Sequence, residues 1–281
     1  MKILEGGFML KKILILGASG LVGKAIAKEC LNDFDVYGTY FSSKTNLPDE
    51  KQFQLNIQDE KILRDILNLV QPDIIVSTLR GDFDEQLKFH RVLAEELKNG
   101  DSVLYFFSTT NVFDGDLSKH HSEEDEPISK SEYGQYKINC EEMLVQYLGN
   151  RSNIIRIPGM WGKNSPRLNT MKTNIETNNQ IQAYSNLECS FLLDVHLAHQ
   201  MRFIFENDLR GIFHLGAVDM VNESAFLENL VNQLTTAEVN IQRNHYQDKE
   251  STYYFGLVSN RNDLPDSLKI TNQEIISHLI H

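Results

Sequence analysis

A chain of 281 residues, 41% hydrophobic and 23% charged, is long enough for one large α/β domain plus a smaller lobe and has an ordinary globular composition. Its formal net charge of −12 argues against general binding to nucleic acid or to an anionic membrane, although a helix N-terminus can still hold one local phosphate. Cys30, Cys140 and Cys189 are odd in number and widely spaced, so they predict neither a disulfide framework nor a metal pair, and a reducing cytoplasm is the expected setting.

The opening MKILEGGF carries no usable pattern and resembles neither a signal peptide nor a membrane anchor. Met9 begins a more usual opening, so the preceding segment reads as a frayed extension or an upstream start. Lys12–Leu16 is a short β-rich run, and Leu21–Leu31 follows with helical spacing. Val36–Phe41 predicts a second strand. Glu60–Val70 is amphipathic, with Ile62, Leu63, Ile66, Leu67 and Val70 on one face, and Pro72-Asp73 stops it before the strand Ile74–Val76. A long helix spans Phe83–Leu97, with Asn99-Gly100 as its C-cap.

Val103–Phe107 is nearly continuous apolar sequence, as a parallel strand buried on both faces requires. Tyr133–Leu148 returns to helical spacing and Asn153–Ile157 reads as another strand. Alternating strands and helices with short links imply a doubly wound parallel sheet whose site lies at the strand C-termini. After Pro158 the rhythm breaks. Asn164–Gln182 is polar without a strong period, followed by a helix at Asp194–Glu206, a strand at Ile212–Leu215 and helices at Glu223–Leu234 and Asn272–Ile280. The expected division is a cofactor domain over residues 10–162 and a smaller substrate lobe over 163–281, interleaved with the last strands of the sheet.

Gly17-Ala18-Ser19-Gly20-Leu21-Val22-Gly23 follows the first strand and opens the first helix. It is one residue away from the Gly-x-Gly-x-x-Gly dinucleotide spacing, with the same logic: a tight turn, close approach of a pyrophosphate, and close helix–strand packing. An NAD enzyme usually carries an acid at the end of the next strand to accept from the ribose 2′-OH. Here Tyr40, Phe41, Ser42, Ser43 and Lys44 offer none, and Ser42, Ser43 and Lys44 suit a 2′-phosphate, so NADP is favoured.

Ser108-Thr109-Thr110-Asn111-Val112-Phe113 follows the strand Val103–Phe107, and Tyr133-Gly134-Gln135-Tyr136-Lys137 places Tyr133 and Lys137 on one helix face. A free tyrosine titrates near 10, and a neighbouring ammonium favours the phenolate. Thr109 would hydrogen-bond a substrate oxygen where charge develops, Tyr133 would protonate it, and Lys137 would support the phenolate and bind ribose hydroxyls. Tyr-x-x-x-Lys alone is common by chance; its weight comes from following a glycine turn and a Ser-Thr strand end in that order.

GASGLVG, VYGTYFSSK, QPDIIVST, FSTTNVFDG, EYGQYK and RIPGMWG together resemble the extended short-chain dehydrogenase/reductases, within them the dTDP-4-dehydrorhamnose reductase-like family, over most of residues 11–162. The likeness continues more weakly in DVHLAHQM and GIFHLGA. It implies a Rossmann-type sheet with a small C-terminal substrate lobe, catalytic roles for Thr109, Tyr133 and Lys137, and NADPH-dependent reduction of a 4-keto group on a nucleotide-linked sugar. It further implies cofactor contacts at Asn56, Ile57, Ser77, Thr78 and Leu79.

The chain departs from that pattern where Thr110 and Asn111 replace Asp-Tyr, where Ser77-Thr78-Leu79 replaces Asn-Ala-Ala, where Asn56 replaces an acid, and where Glu188–Leu192 replaces Gly-x-Pro-Thr. Thr110, Asn111, Val112, Arg156, Trp161 and Arg167 are the candidate substrate residues, the arginines for a diphosphate and the tryptophan either for a ring or, equally, for core packing. No metal is expected: His120-His121 and the acids from Glu123 to Glu126 read as a solvated loop, and His196 and His199 as packing or surface residues. The expected partners are a nucleotide-sugar substrate and, at most, a second copy in a homodimer. Two rival readings stand beside reduction. One is a sugar-nucleotide epimerase or dehydratase, disfavoured because Thr110 and Asn111 supply no acid pair. The other is a cofactor-binding partner subunit resembling the methionine adenosyltransferase regulatory subunits.

Overall fold

The computed structural model describes Leu10–His281, and the opening segment discussed above lies outside the described residues. The first elements are β1 (Lys12–Leu16), α1 (Leu21–Cys30), β2 (Asp35–Tyr40), β3 (Gln52–Gln54), α2 (Glu60–Val70), β4 (Ile74–Ser77) and α3 (Phe83–Leu97). Next come β5 (Val103–Thr109), α4 (Glu132–Leu148), β6 (Ser152–Ile157), β7 (Gly159–Trp161), α5 (Pro166–Glu176), β8 (Ile181–Tyr184), β9 (Leu187–Cys189) and β10 (Phe191–Leu193). The chain finishes with α6 (Asp194–Glu206), β11 (Ile212–His214), β12 (Val221–Asn222), α7 (Glu223–Leu234), β13 (Ile241–Asn244), β14 (Tyr253–Phe255) and α8 (Asn272–Ile280).

Seven strands form a parallel central sheet in the order β11-β6-β5-β4-β1-β2-β3, the Rossmann-type doubly wound arrangement expected from the alternation. The winding reverses at β1, which pairs with β2 on one side and β4 on the other, so the crevice beyond the carboxyl ends of β1 and β4 is the topological switch point. Ile13 to Leu16 are fully buried, which explains why this strand reads as an unbroken apolar run. Asp59 caps α2 by accepting from Ile62 N–H at 3.0 Å, and the helix buries Leu63, Ile66 and Val70. Ile62, assigned to the same face, is turned out to solvent. Helix α3 closes at Lys98, one residue before the expected Asn99-Gly100 cap, with Gly100 N–H still donating to Leu97 O.

The chain forms two compact units. Of the described residues, the first comprises Leu10–Phe107 with Asn139–Ile154 and Met201–Gly211; the second comprises Ser108–Ile138, Ile155–Gln200 and Ile212–His281. The interleaving therefore runs deeper than a boundary at 162. Residues 108–138 count with the second unit because Val112 and Phe113 pack with Leu257 and Ile138 there. Residues 201–211 count with the first, where Phe205 packs edge-on against Phe34 and Tyr105. The second unit's core centres on Trp161, Phe191 and Phe226, with ring centroids 4.3–6.0 Å apart. Among the described residues no helix is long and apolar enough to cross a membrane.

Candidate active site

In the first unit, the turn after β1 is shaped by its glycines. Gly17 takes φ +87°, its N–H donates to Thr39 Oγ1 at 3.0 Å, and its carbonyl accepts from Gly20 N–H at 3.0 Å. A methyl group on Gly23 would collide with Gly17 O and lie 2.8 Å from Ala18 Cα, so only glycine lets α1 start this close to the strand. Gly20 occupies the N-cap of α1 without a side-chain cap, and the first turn carries no acid. The helix's first N–H groups and positive dipole end are thus left for an anion. Val22 is buried, so only its backbone can serve a ligand, whereas Ser19 and Leu21 are half-buried and Gly20 is exposed.

Thr78 supports the turn, its hydroxyl donating to Leu16 O at 3.0 Å and Gly17 O at 3.2 Å. Ser77, an expected cofactor contact, commits its side chain to the interior. Its hydroxyl is buried 2.7 Å from His90 Nε2, and His90 Nδ1 in turn donates to Gln86 O at 2.6 Å. Leu79 and Ile57 are half-buried. Asn56 is exposed and its side chain accepts from Gln58 N–H at 3.1 Å, organising the turn before α2. After β2, Tyr40 is half-buried and Ser42, Ser43 and Lys44 are exposed. Lys44 Nζ pairs with Asp49 at 2.7 Å, which raises the lysine's pKa and lowers the aspartate's. Asp49 went unnoticed in the sequence because it lies beyond the strand end.

The second unit contains Thr109, Tyr133 and Lys137 together. Thr109 ends β5 and caps the short 3-10 turn Thr110–Phe113, its Oγ1 accepting from Asn111 N–H at 3.3 Å. The same oxygen lies 3.0 Å from Asn111 Oδ1, to which its hydroxyl donates. Tyr133 is half-buried in the first turn of α4, and Lys137 is buried one turn later with its Nζ 5.2 Å from the centre of the Tyr136 ring.

Gly134 lets that helix press onto the turn: a methyl there would collide with Asn111 O and come within 2.7 Å of Ser129 Cβ. Asp114 ties the two segments, accepting from Ser129 Oγ at 2.8 Å, from Lys130 N–H at 2.6 Å and from the Ser131 hydroxyl. Burial alone would raise the Asp114 pKa, but these bonds hold it below the ordinary carboxylate value. No local signal in the sequence announces this tie, because its partners are 15 to 17 residues away.

The candidate substrate residues divide. Thr110 is buried, donating to Ile157 O at 3.3 Å, and Asn111 is half-buried on Thr109. Val112 is 0% exposed in an apolar cluster, so its side chain belongs to the core. Arg156 is 2% exposed and does not present itself to a diphosphate: its guanidinium lies 5.1 Å from the centre of the Phe113 ring and donates to His214 Nε2 at 3.3 Å. Trp161 is 0% exposed and packs against Phe226, so of its two expected roles the structure favours core packing over a substrate ring. Arg167 keeps solvent access with its guanidinium 5.3 Å from the centre of the Trp161 ring. Desolvation by the crowded surroundings lowers its pKa against the pull of Glu223, whose own pKa burial raises.

The loop read as solvated is solvated only in part. Glu124 and Glu126 are exposed, but His121 is buried and stacks on Phe113 with centroids 4.4 Å apart. Glu123 is a clamp, accepting from His214 N–H at 3.0 Å, Ser259 Oγ at 2.5 Å and Asn260 N–H at 2.9 Å. Those bonds outweigh the burial that would raise its pKa and leave it below the usual value. His214 Nδ1 donates to His121 O at 3.1 Å and to Val258 O at 3.0 Å, and burial, with Arg156 alongside, holds its pKa down to about 4 against the pull of Glu123. His196 fills a packing role, bonded to Leu268 O at 2.7 Å, and His199 is exposed.

Residues 82–251 match the RmlD substrate binding domain family, which is more than half of the chain. The chain belongs to that family. As an RmlD-family member it also matches solved structures of reductases in fold. The dTDP-4-dehydrorhamnose reductase of Bacillus anthracis str. Ames, in complex with NADP, aligns with TM-score 0.79 and 18% identity over 96% of this chain and 99% of that one. The dTDP-4-dehydrorhamnose reductase of Clostridium acetobutylicum aligns with TM-score 0.78 and 19% identity over 95% of this chain and 98% of that one. At these identities the likeness establishes the fold. In sequence, the Danio rerio methionine adenosyltransferase 2 subunit beta is 28% identical over 164 residues, 54% of this chain and 49% of the relative. The match thus spans about half the length of that relative.

Proposed function

We propose that this RmlD-family chain is an NADPH-dependent reductase of a keto group, most directly the 4-keto group of a nucleotide-linked deoxysugar. The observation that carries the reading is the set Thr109, Tyr133 and Lys137 in one compact unit, on a strand end and one helix face, with Lys137 buried. The uncapped N-terminus of α1 and its glycine turn fit a dinucleotide pyrophosphate. The absence of an acid from Tyr40 to Lys44 supports a 2′-phosphate, with Ser42, Ser43 and Lys44 as its ligands.

A bound nicotinamide cofactor would supply the hydride, and this chain's residues manage the proton. Thr109 donates a hydrogen bond to the keto oxygen as negative charge builds there. Tyr133 passes its phenolic proton to that oxygen, and the Lys137 ammonium stabilises the phenolate left behind. Arg167 is the remaining candidate for the substrate's diphosphate.

The test is titration with NADPH and NADH by nicotinamide fluorescence, followed by turnover of dTDP-4-dehydrorhamnose. The expected result is NADPH preference, with Tyr133→Phe binding cofactor normally and losing roughly 10²- to 10⁴-fold in turnover. Failure to bind either cofactor overturns the reading. A second reading, a partner subunit, is favoured by the methionine adenosyltransferase 2 subunit beta relatives. It predicts a stable complex with a methionine adenosyltransferase catalytic chain whose formation is indifferent to Tyr133→Phe.

A further inference from the structure

The catalytic assignment of Thr109 raises a chemical difficulty. A threonine hydroxyl has one hydrogen and can accept two bonds. Thr109 Oγ1 already accepts from Asn111 N–H at 3.3 Å, and its hydrogen is directed at Asn111 Oδ1, 3.0 Å away. In that arrangement the hydrogen required by a substrate oxygen is spent within the turn.

The Asn111 side chain has a second orientation of nearly the same shape, reached by a half-turn about its Cβ–Cγ bond. That orientation puts Nδ2 where Oδ1 stands. Thr109 Oγ1 then accepts from both Asn111 N–H and Asn111 Nδ2–H, and its own hydrogen is free to point elsewhere. Two incoming donors also polarise the hydroxyl, strengthening it as a donor.

We propose that Asn111 is a positioning residue whose amide switches Thr109 between a withheld and an available hydrogen-bond donor. The switch rests on the reductase reading for its purpose, though the pairing itself does not. The backbone around it is fixed. Gly134 packs against Asn111 O, and Thr110 is tied to Ile157 O, so the side-chain amide is the part of this turn that can rotate. An asparagine is suited to this because it offers either a donor or an acceptor on one frame; an aspartate at position 111 offers only acceptors when ionised.

The pairing is tested without substrate, by NMR of the ¹⁵N-labelled full chain with NADP⁺ added. One Asn111 side-chain amide proton should be shifted downfield and protected from exchange, and Thr109→Val should abolish both effects while Thr109→Ser keeps them. An Asn111 amide that is unprotected and indifferent to Thr109→Val overturns the proposal, whatever the enzyme turns over. The functional arm uses Asn111→Asp with dTDP-4-dehydrorhamnose as probe. This near-isosteric variant should keep the wild-type NADPH affinity and KM. It should lose roughly 10²- to 10³-fold in kcat, the cost of removing one such donor, and recover relative to wild type as pH falls and the new carboxyl protonates. Wild-type kcat in Asn111→Asp overturns the switch. A wild-type chain that does not turn over the probe counts against the reductase reading, and the NMR arm still decides the pairing.

Discussion

The buried imidazole of His214 makes the second unit's stability depend on pH in a predictable direction. Its Nδ1–H serves two carbonyls and its Nε2 accepts from Arg156, so both ring nitrogens are committed to the neutral form. A proton on Nε2 would face a guanidinium. Burial holds the pKa at about 4 from an ordinary 6.5. Below pH 6.5 the unfolded chain binds a proton at this site that the folded chain refuses, so the stabilising contribution is full above about 6.5 and is lost as pH falls through about 4. At 1.36 kcal/mol per unit, the displacement corresponds to about 3 kcal/mol.

For a chain of this size that is roughly 6 °C in melting temperature at about 2 °C per kcal/mol. His120, His196 and His278 are also shifted down by burial and titrate with the same sign. The wild-type slope alone therefore does not isolate His214. The assay is a melting series from pH 7 to pH 4 on wild type and His214→Gln, whose amide can donate to one carbonyl and accept from Arg156. The variant should be less stable at pH 7, and the gap should narrow by most of that amount by pH 4. A gap that stays constant across this range would refute the assignment of His214 as a neutral clamp.

Two further outcomes follow from the first unit. Gly23→Ala forces a methyl against the Gly17 carbonyl and should destabilise the chain by about 1–3 kcal/mol while abolishing NADPH binding, read by urea denaturation and by fluorescence titration. Asp49→Asn releases Lys44 from its surface ion pair. It should tighten NADPH roughly two- to fivefold without changing NADH affinity; an equal effect on both would mean that Lys44 does not meet the 2′-phosphate.

The first half of the fold is legible because its signals are local. Lys12–Leu16, Glu60–Val70 and Phe83–Leu97 have the observed limits, since a buried apolar run or a helical stripe bounded by Asp, Gly or Pro carries its own ends. The second half hides its strands. β7, β9 and β10 have three residues each, too few for any period to register. Helix α5 has its start written in Ser165-Pro166, where Ser165 Oγ accepts from Leu168 N–H at 3.3 Å, but the Asn- and Thr-rich body buries only Leu168 and Met171 and so shows no stripe. At the site, order along the chain nominates Thr109, Tyr133 and Lys137, whereas the direction of a side chain depends on partners far away. Arg156 points inward because His214 and Phe113 receive it, and neither is near it in sequence.

The choice between enzyme and partner subunit turns on what the second unit maintains at a cost. Thr110 is tied to Ile157, Asp114 to Ser129 and Ser131, and Glu123 to Ser259 and Asn260, so ties ranging from 15 to 137 residues in sequence separation hold the stretch that carries Thr109. A surface that only contacts a partner does not need this enclosure. Lys137 is the sharper case. It is 6% exposed, and a buried ammonium carries a desolvation penalty that an apolar residue of similar size would avoid. The penalty has a return if the charge is needed beside Tyr133 to hold a phenolate, which is a demand of proton transfer and not of docking. The expectation that separates the two is Lys137→Met: turnover falls by far more than any loss of folded chain accounts for. If stability falls as steeply as turnover, Lys137 is a structural element of α4, and the argument for catalysis from its burial fails.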